Sequence, residues 1–95
     1  MTEKQIIEQA VQQAQETARS EGLVIGSVVA HPDDLFTYKL LKVEGDTAYV
    51  RLSADKSPNG KELRKTFPVN ELFNPVVANN YAIQINAELM MFNPN

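Results

Sequence analysis

The sequence predicts an α+β domain, mainly β, in which an N-terminal amphipathic helix precedes a small antiparallel SH3-like β barrel of four to five strands. Two observations lead to this prediction. Apolar residues recur with a helical period through residues 1–22, and from residue 23 onward short runs rich in β-branched side chains alternate with tight turns. The 95 residues suit one domain. We expect a single domain over 1–95, with a helix over 1–22, a barrel over 23–75 and a C-terminal strand or tail over 76–95.

The first 22 residues contain the start, the apolar stripe and the end of a helix. Thr2 and Gln5 have the spacing of a capping box, in which each side chain bonds the backbone N–H of the other residue. Gly22 is the kind of residue that commonly ends a helix. The apolar face is thin, because alanine dominates its second half; it consists of Ile7, Val11, Ala14 and Ala18. Such a face permits a neighbouring element to approach closely.

Four segments are predicted as strands, namely Leu23–Ala30, Thr37–Val43, Thr47–Leu52 and Leu63–Val69. The short loop at Glu44–Asp46 is typical of a hairpin, since Gly45 can adopt a positive φ. Residues 53–62 have the composition of an exposed loop, and Asn70–Asn74 is expected to form a single helical turn.

The apolar residues of the C-terminal segment 76–95 fit both the period of a strand and the period of a helix. Alternate positions are apolar, as in a strand, at Tyr81, Ile83, Ile85, Ala87 and Leu89. Steps of four residues fit a helix, through Val77, Tyr81, Ile85 and Leu89, and Asn74-Pro75 is a favourable helix start. We favour a strand over 80–87, with the helix as the alternative.

The composition excludes several classes of protein. With 43% hydrophobic and 22% charged residues, the chain matches a globular domain and not a disordered one. It has no cysteine, which excludes disulfides, thiolate catalysis and cysteine-based zinc sites. No apolar run approaches the roughly 18 residues that span a membrane, and the N-terminus lacks the basic start and apolar stretch of a signal peptide. We expect a cytoplasmic protein with no membrane partner and no cofactor.

The segment Ala30-His31-Pro32-Asp33-Asp34 directly follows a predicted strand, and its proline and aspartates favour a turn. The segment also resembles the zinc-site motif of the N-acetylglucosaminyl deacetylase family. That resemblance implies His31 and Asp34 as zinc ligands and Asp33 as the general base in hydrolysis of an acetamide. The chain has Leu35 where that family has glutamate, and His31 is its one histidine. We therefore predict a turn, no metal site and no enzymatic activity, with a zinc-dependent deacetylase-like site at His31, Asp33 and Asp34 as a remote alternative.

The expected function is that of a non-enzymatic protein-interaction or adaptor module. Residues 89–92 are four consecutive apolar residues, which a strand cannot bury on one side, and methionine suits an adaptable contact surface. The alanine-rich seam of the N-terminal helix offers a second apolar surface. The predicted contact residues are Leu89, Met90, Met91, Phe92, Ile7 and Val11. The expected partner is another protein or a second copy of this chain.

The alternative function is weak binding of RNA, or association with the ribosome, by the SH3-like barrel. The predicted contact residues are Lys56, Lys61, Arg64 and Lys65, with Lys39, Lys42 and Arg51 on neighbouring strands. Neutralised phosphates dominate the affinity for nucleic acid. Because the net charge is −3 and acidic residues interrupt the basic region, the sequence predicts weak binding.

Overall fold

The structure, a computed structural model, describes residues 1–54 and 63–92. These residues form α1 (Glu3–Glu21), β1 (Val28–Ala30), β2 (Thr37–Glu44), β3 (Thr47–Leu52), β4 (Arg64–Pro68), a 3-10 turn (Val69–Glu71) and α2 (Pro75–Phe92). The strands pair antiparallel in the order β1-β2-β3-β4. The predicted α+β class is therefore confirmed.

The sheet is open within residues 1–54 and 63–92, so the predicted SH3-like barrel is not confirmed. β1 starts at Val28 and not at residue 23, because the chain turns before it and Gly26 takes a φ of 89°. The outer edge of β1 is occupied by Phe73, whose N–H and carbonyl bond Ala30 at 3.1 and 2.8 Å. β4 therefore lies at the opposite edge of the sheet, and a single bridge takes the place of a closing strand.

One side of the sheet holds the core of the β unit. Strand residues alternate between two sides, and the inward positions of β3 are Ala48, Val50 and Leu52. Leu72, which follows the 3-10 turn, packs against this side of the sheet. The buried cluster consists of Val29, Tyr38, Leu40, Ala48, Val50, Leu52 and Leu72.

Helix α1 starts and ends where the sequence predicts. The Thr2 Oγ1 accepts the N–H of Gln5 at 3.2 Å, and the Gln5 Oε1 accepts the N–H of Thr2 at 2.9 Å, which completes the capping box. Gly22 follows the last helical residue with a φ of 81°. Both boundaries therefore coincide with local sequence signals.

The strand predicted over 80–87, within the C-terminal strand or tail of 76–95, is wrong, because this segment belongs to α2. The Asn74 Oδ1 accepts the N–H of Val76 at 2.9 Å and so caps the helix. Pro75 occupies the first position, where its missing N–H costs no hydrogen bond. The local start signal thus favours the helical alternative.

The two helices lie side by side and run in opposite directions. At one end the hydroxyls of Thr17 and Tyr81 are 2.8 Å apart, and at the other end Met1 and Leu89 line one small cavity. A second cluster joins this helix pair to β1 through Ala14, Ala30, Phe73 and Ala78. Because α1 offers one long packing surface, the C-terminal segment forms a helix that packs along α1 and does not form a strand.

The half of the helix pair that lies far from the sheet is only sparsely covered by other elements. Among the side chains that the structure describes, the first buried one in α1 is Ala10 and the last in α2 is Ile85. Apart from each other, the helices contact mainly β1 and the 3-10 turn. We call residues 1–9 and 82–91 the helical arm. Within residues 1–54 and 63–92 no third layer packs against the helical arm, so its sides face solvent.

We expect that Leu72→Ala lowers the free energy of unfolding by about 2–5 kcal/mol, because it leaves a cavity in the sheet core. Leu72 is 0% exposed, whereas Leu35 is 100% exposed and serves as the matched control. Leu35→Ala should change the free energy by less than about 0.5 kcal/mol. Urea unfolding followed by circular dichroism measures both, and equal effects would contradict the assigned core.

Candidate functional site

The predicted turn after β1 is present and is held by its own side chains. The N–H of Asp34 donates to the carbonyl of His31 at 3.1 Å. The Asp34 Oδ1 accepts the N–H of Phe36 at 2.9 Å, and the His31 Nδ1 accepts the N–H of Asp33 at 3.1 Å. The side chains that resemble a zinc motif therefore bond the backbone of the turn itself.

The His31 ring is 8% exposed and uses both of its nitrogens. Its Nε2 lies 2.8 Å from the Oε1 of Glu71, and the ring stacks on Phe67 with centroids 4.8 Å apart. Because Nδ1 accepts a hydrogen bond, we assign the proton to Nε2, which donates it to the carboxylate of Glu71. This arrangement leaves no ring lone pair for a metal ion.

Asp34 accepts two further hydrogen bonds through its Oδ2, from the Tyr38 hydroxyl at 2.9 Å and from the Lys65 Nζ at 3.0 Å. The backbone N–H of Phe36 is the main reason that the pKa of Asp34 lies below its usual value. The bonds from Lys65 and Tyr38 lower it further, against the opposing effect of burial. Burial, followed by the bond to Asp34, raises the pKa of Tyr38. This carboxylate thus secures the turn to β2 and β4.

The metal ligands that the deacetylase resemblance implies are committed to other partners. His31 bonds Glu71 and the turn, and Asp34 bonds Tyr38 and Lys65. Residues 1–54 and 63–92 hold no group of three or more His, Cys, Asp or Glu that could bind a metal ion. The geometry favours the interpretation of this segment as a structural turn.

The sheet places Arg64 and Lys65, two of the residues predicted to contact nucleic acid, on opposite sides. Arg64 and Lys65 are neighbours on β4, so their side chains point to opposite sides, and Lys65 bonds Asp34. Lys56 and Lys61 lie outside the described residues. The structure therefore separates Lys65 from Arg64.

Arg64 belongs to a basic surface that we call the outer sheet face, made up of Lys39, Lys42, Tyr49, Arg51 and Arg64. The pairing of the strands places these residues together, since Arg51 lies opposite Lys39 on β2 and opposite Arg64 on β4. The Lys42 Nζ lies 4.6 Å from the centre of the Tyr49 ring and 2.9 Å from the Glu44 carboxylate. An open pocket of about 470 Å³ is lined by Lys42 of β2, Tyr49 of β3 and the consecutive β4 residues Arg64, Lys65 and Thr66.

The residues predicted to contact a protein lie on and near the helical arm. Met90 and Met91 are exposed, Ile7 is exposed, and Leu89 and Val11 are half-buried. Phe92 is the last residue of α2. Val76 and Ile83 are also exposed large apolar residues of α2, although they are not among the contact residues predicted from the sequence. Their signal in the sequence is a spacing of seven residues, through Val76, Ile83 and Met90.

These residues share one side of the helix pair, because seven residues are close to two helical turns. We call Ile7, Val76, Ile83 and Met90 the helix-pair face. Ile7 of α1 and Ile83 of α2 line one groove of about 540 Å³, whose other lining residues are Met1, Glu3, Ile6, Ala82 and Asn86. The groove is open to solvent and mostly apolar.

Comparison with known proteins gives no match: no protein-family model, no curated protein and no solved structure matches this chain. In the described part of the chain, neither helix is both long enough and apolar enough to cross a membrane.

The lowered pKa of Asp34 makes a prediction about pH. A carboxyl whose pKa is lower in the folded state stabilises the fold above its unfolded pKa, here near 3.8, and loses that contribution as the pH falls through the folded pKa. Asp34→Asn should therefore cost about 1–3 kcal/mol at neutral pH, and this difference from the wild type should shrink in strong acid.

The control is Asp33→Asn, because Asp33 is exposed and adjacent. It should leave the free energy of unfolding nearly unchanged across the same range. Urea unfolding at a series of pH values from about 7 to 2 measures both variants. A cost for Asp34→Asn that does not decline with acid would contradict the role of the ionised carboxylate.

Proposed function

We propose that this chain is a non-enzymatic protein-interaction module that docks a partner on the helix-pair face. The observation that carries the proposal is the row of exposed apolar side chains along α2, at Val76, Ile83 and Met90. A cysteine-free composition fits the reducing cytoplasm as its site of action.

Helix α2 differs from an ordinary surface helix in its charge. A helix at the surface of a monomer usually presents charged residues to solvent, whereas a helix that is apolar on all sides is normally covered. The 18 residues of α2 include a single charged one, Glu88. Exposed apolar rows with few charges are typical of protein contact surfaces. The methionines suit such a surface because their side chains adapt their shape.

The polar clusters support a binding role over a catalytic one. His31 and Asp34 are the residue types most often found in catalytic sites. Here their polar atoms form hydrogen bonds that hold the turn to β2, β4 and the 3-10 turn. A general base needs a free lone pair within reach of a substrate. We accordingly assign these residues to the stability of the fold.

The test replaces Ile83, which is 61% exposed, by glutamate. We expect Ile83→Glu to weaken capture of the specific partner by at least about tenfold, because a charge at the centre of an apolar contact loses its water. The measurement is affinity capture from cell lysate, with and without nuclease, followed by quantitative mass spectrometry and by a capture of untagged copies of the same chain.

Ile25→Glu is the matched control, because Ile25 is 57% exposed and lies in the turn before β1, away from the helix-pair face. It should retain the partner. Circular dichroism checks that both variants are folded. Retention by Ile83→Glu, or equal loss in both variants, would contradict docking on this face.

A second candidate function is the binding of a polyanion such as RNA on the outer sheet face. The observation that favours it is the convergence of four cationic residues and Tyr49 on one side of β2, β3 and β4. Cations supply the phosphate contacts, and an aromatic ring can stack on a base. Glu44 and the net charge of −3 oppose it, which makes this the weaker candidate.

If the outer sheet face binds RNA, Lys39→Gln should weaken binding of a single-stranded RNA at low salt. It should also reduce the slope of log affinity against log salt by about 1, because one phosphate contact is lost. Lys4→Gln, an exposed lysine on α1, is the control and should change neither value. Filter binding at several salt concentrations measures both, and equal effects of the two variants would exclude a specific basic surface.

A further inference from the structure

We infer that the partner on the helix-pair face is a second copy of this chain, related by a twofold axis beside Ile83, with the two α2 helices antiparallel. This inference depends on the proposed function, because it names the occupant of the same face. It is carried by the spacing of the exposed residues, the charges around them, and the area that the helix pair offers.

The spacing is symmetric about Ile83. Val76 precedes Ile83 by seven residues and Met90 follows it by seven. A twofold axis at Ile83 therefore places Ile83 against its own copy and Val76 against Met90 of the second copy, with the second contact made twice. An antiparallel pair also keeps the two sheets apart, since each sheet adjoins the Pro75 end of its own α2.

The side chains around the axis are compatible with this register. Residues at equal distances from Ile83 face each other, so Asn80 faces Asn86 of the second copy, and two amides can exchange hydrogen bonds. Glu88 lies five residues from Ile83, about 140° around the helix, and so points away from the axis. No like charges meet along α2.

The same axis passes beside Ile7, because Ile7 and Ile83 line one groove. On α1, Glu3 then faces Val11 of the second copy, and Glu8 faces Ile6 of the second copy. No acidic residue meets another, so like-charge repulsion is absent on both helices. The loss of water from Glu3 and Glu8 opposes the contact, which favours a weak and reversible dimer.

The available area fits a reversible dimer. Helix α2 is about 27 Å long, at about 1.5 Å for each of its 18 residues. Two helices side by side are about 20 Å wide, so the helix pair offers at most roughly 500 Å² for each copy. The total of about 1,000 Å² is at the lower limit for a specific interface. Two such layers would together form a four-helix bundle, which covers the apolar side of each.

Single cysteines test this register, because the chain has none of its own. We would prepare Val76→Cys, Ile83→Cys and Met90→Cys and treat each with a short bis-maleimide linker. Ile83→Cys should crosslink to itself. Val76→Cys and Met90→Cys should each remain uncrosslinked alone and crosslink when mixed, because like positions in an antiparallel pair lie about 21 Å apart.

Ile25→Cys is the control for random collision and should not crosslink. Self-crosslinking of Val76→Cys and of Met90→Cys would indicate a parallel pair and overturn the inference. Sedimentation velocity of the unmodified chain should show the mass of one chain at low concentration and of two at high concentration. Ile83→Glu should lose the larger species while its circular dichroism is unchanged.

A chain that stays monomeric at all concentrations, without crosslinks, would overturn the dimer. That result would leave the proposed function standing if Ile83→Glu still loses a heterologous protein that Ile25→Glu retains. If Ile83→Glu retains both self-association and its heterologous partner, both proposals are overturned. The two failures are therefore distinguishable.

Discussion

Two backbone hydrogen bonds between Ala30 and Phe73 join the β unit to the helix pair. They hold an extended segment against the outer edge of β1. Because successive residues of an extended chain point to opposite sides, Leu72 enters the sheet core and Phe73 enters the cluster beneath the helices. Asn74 then caps α2 at the next position. One short segment consequently completes two cores, and its end determines where α2 begins.

The turn after β1 secures the same junction with side chains. His31 bonds the Glu71 carboxylate, and the Gln15 side chain donates to the Glu71 carbonyl at 2.8 Å, so that α1, the turn and the 3-10 turn share one residue. Asp34 adds the link to β4 through Lys65. Polar groups that resemble a reactive site are therefore used inside the fold. The surfaces proposed for binding, the helix-pair face and the outer sheet face, use other residues.

Local signals predicted most of the elements, and long-range contacts explain what they missed. The capping box at Thr2 and the glycine at residue 45, with a φ of 58°, are complete within a few residues and were predicted correctly. The barrel was not confirmed because Phe73 pairs with the outer edge of β1. No local sequence pattern predicts this long-range pairing. The tail was ambiguous until α1 provided a partner surface. Strand alternation could have separated Arg64 from Lys65, and a seven-residue spacing could have indicated Ile83.

The row along α2 lies outside both buried clusters. Residues that maintain the fold and residues that would choose a partner are thus different residues, on different sides of the same helix. Selection can act on one set with little penalty to the other. A domain built in this way can acquire a new binding preference through a few surface changes, while the sequence constraints on its folding remain as they were.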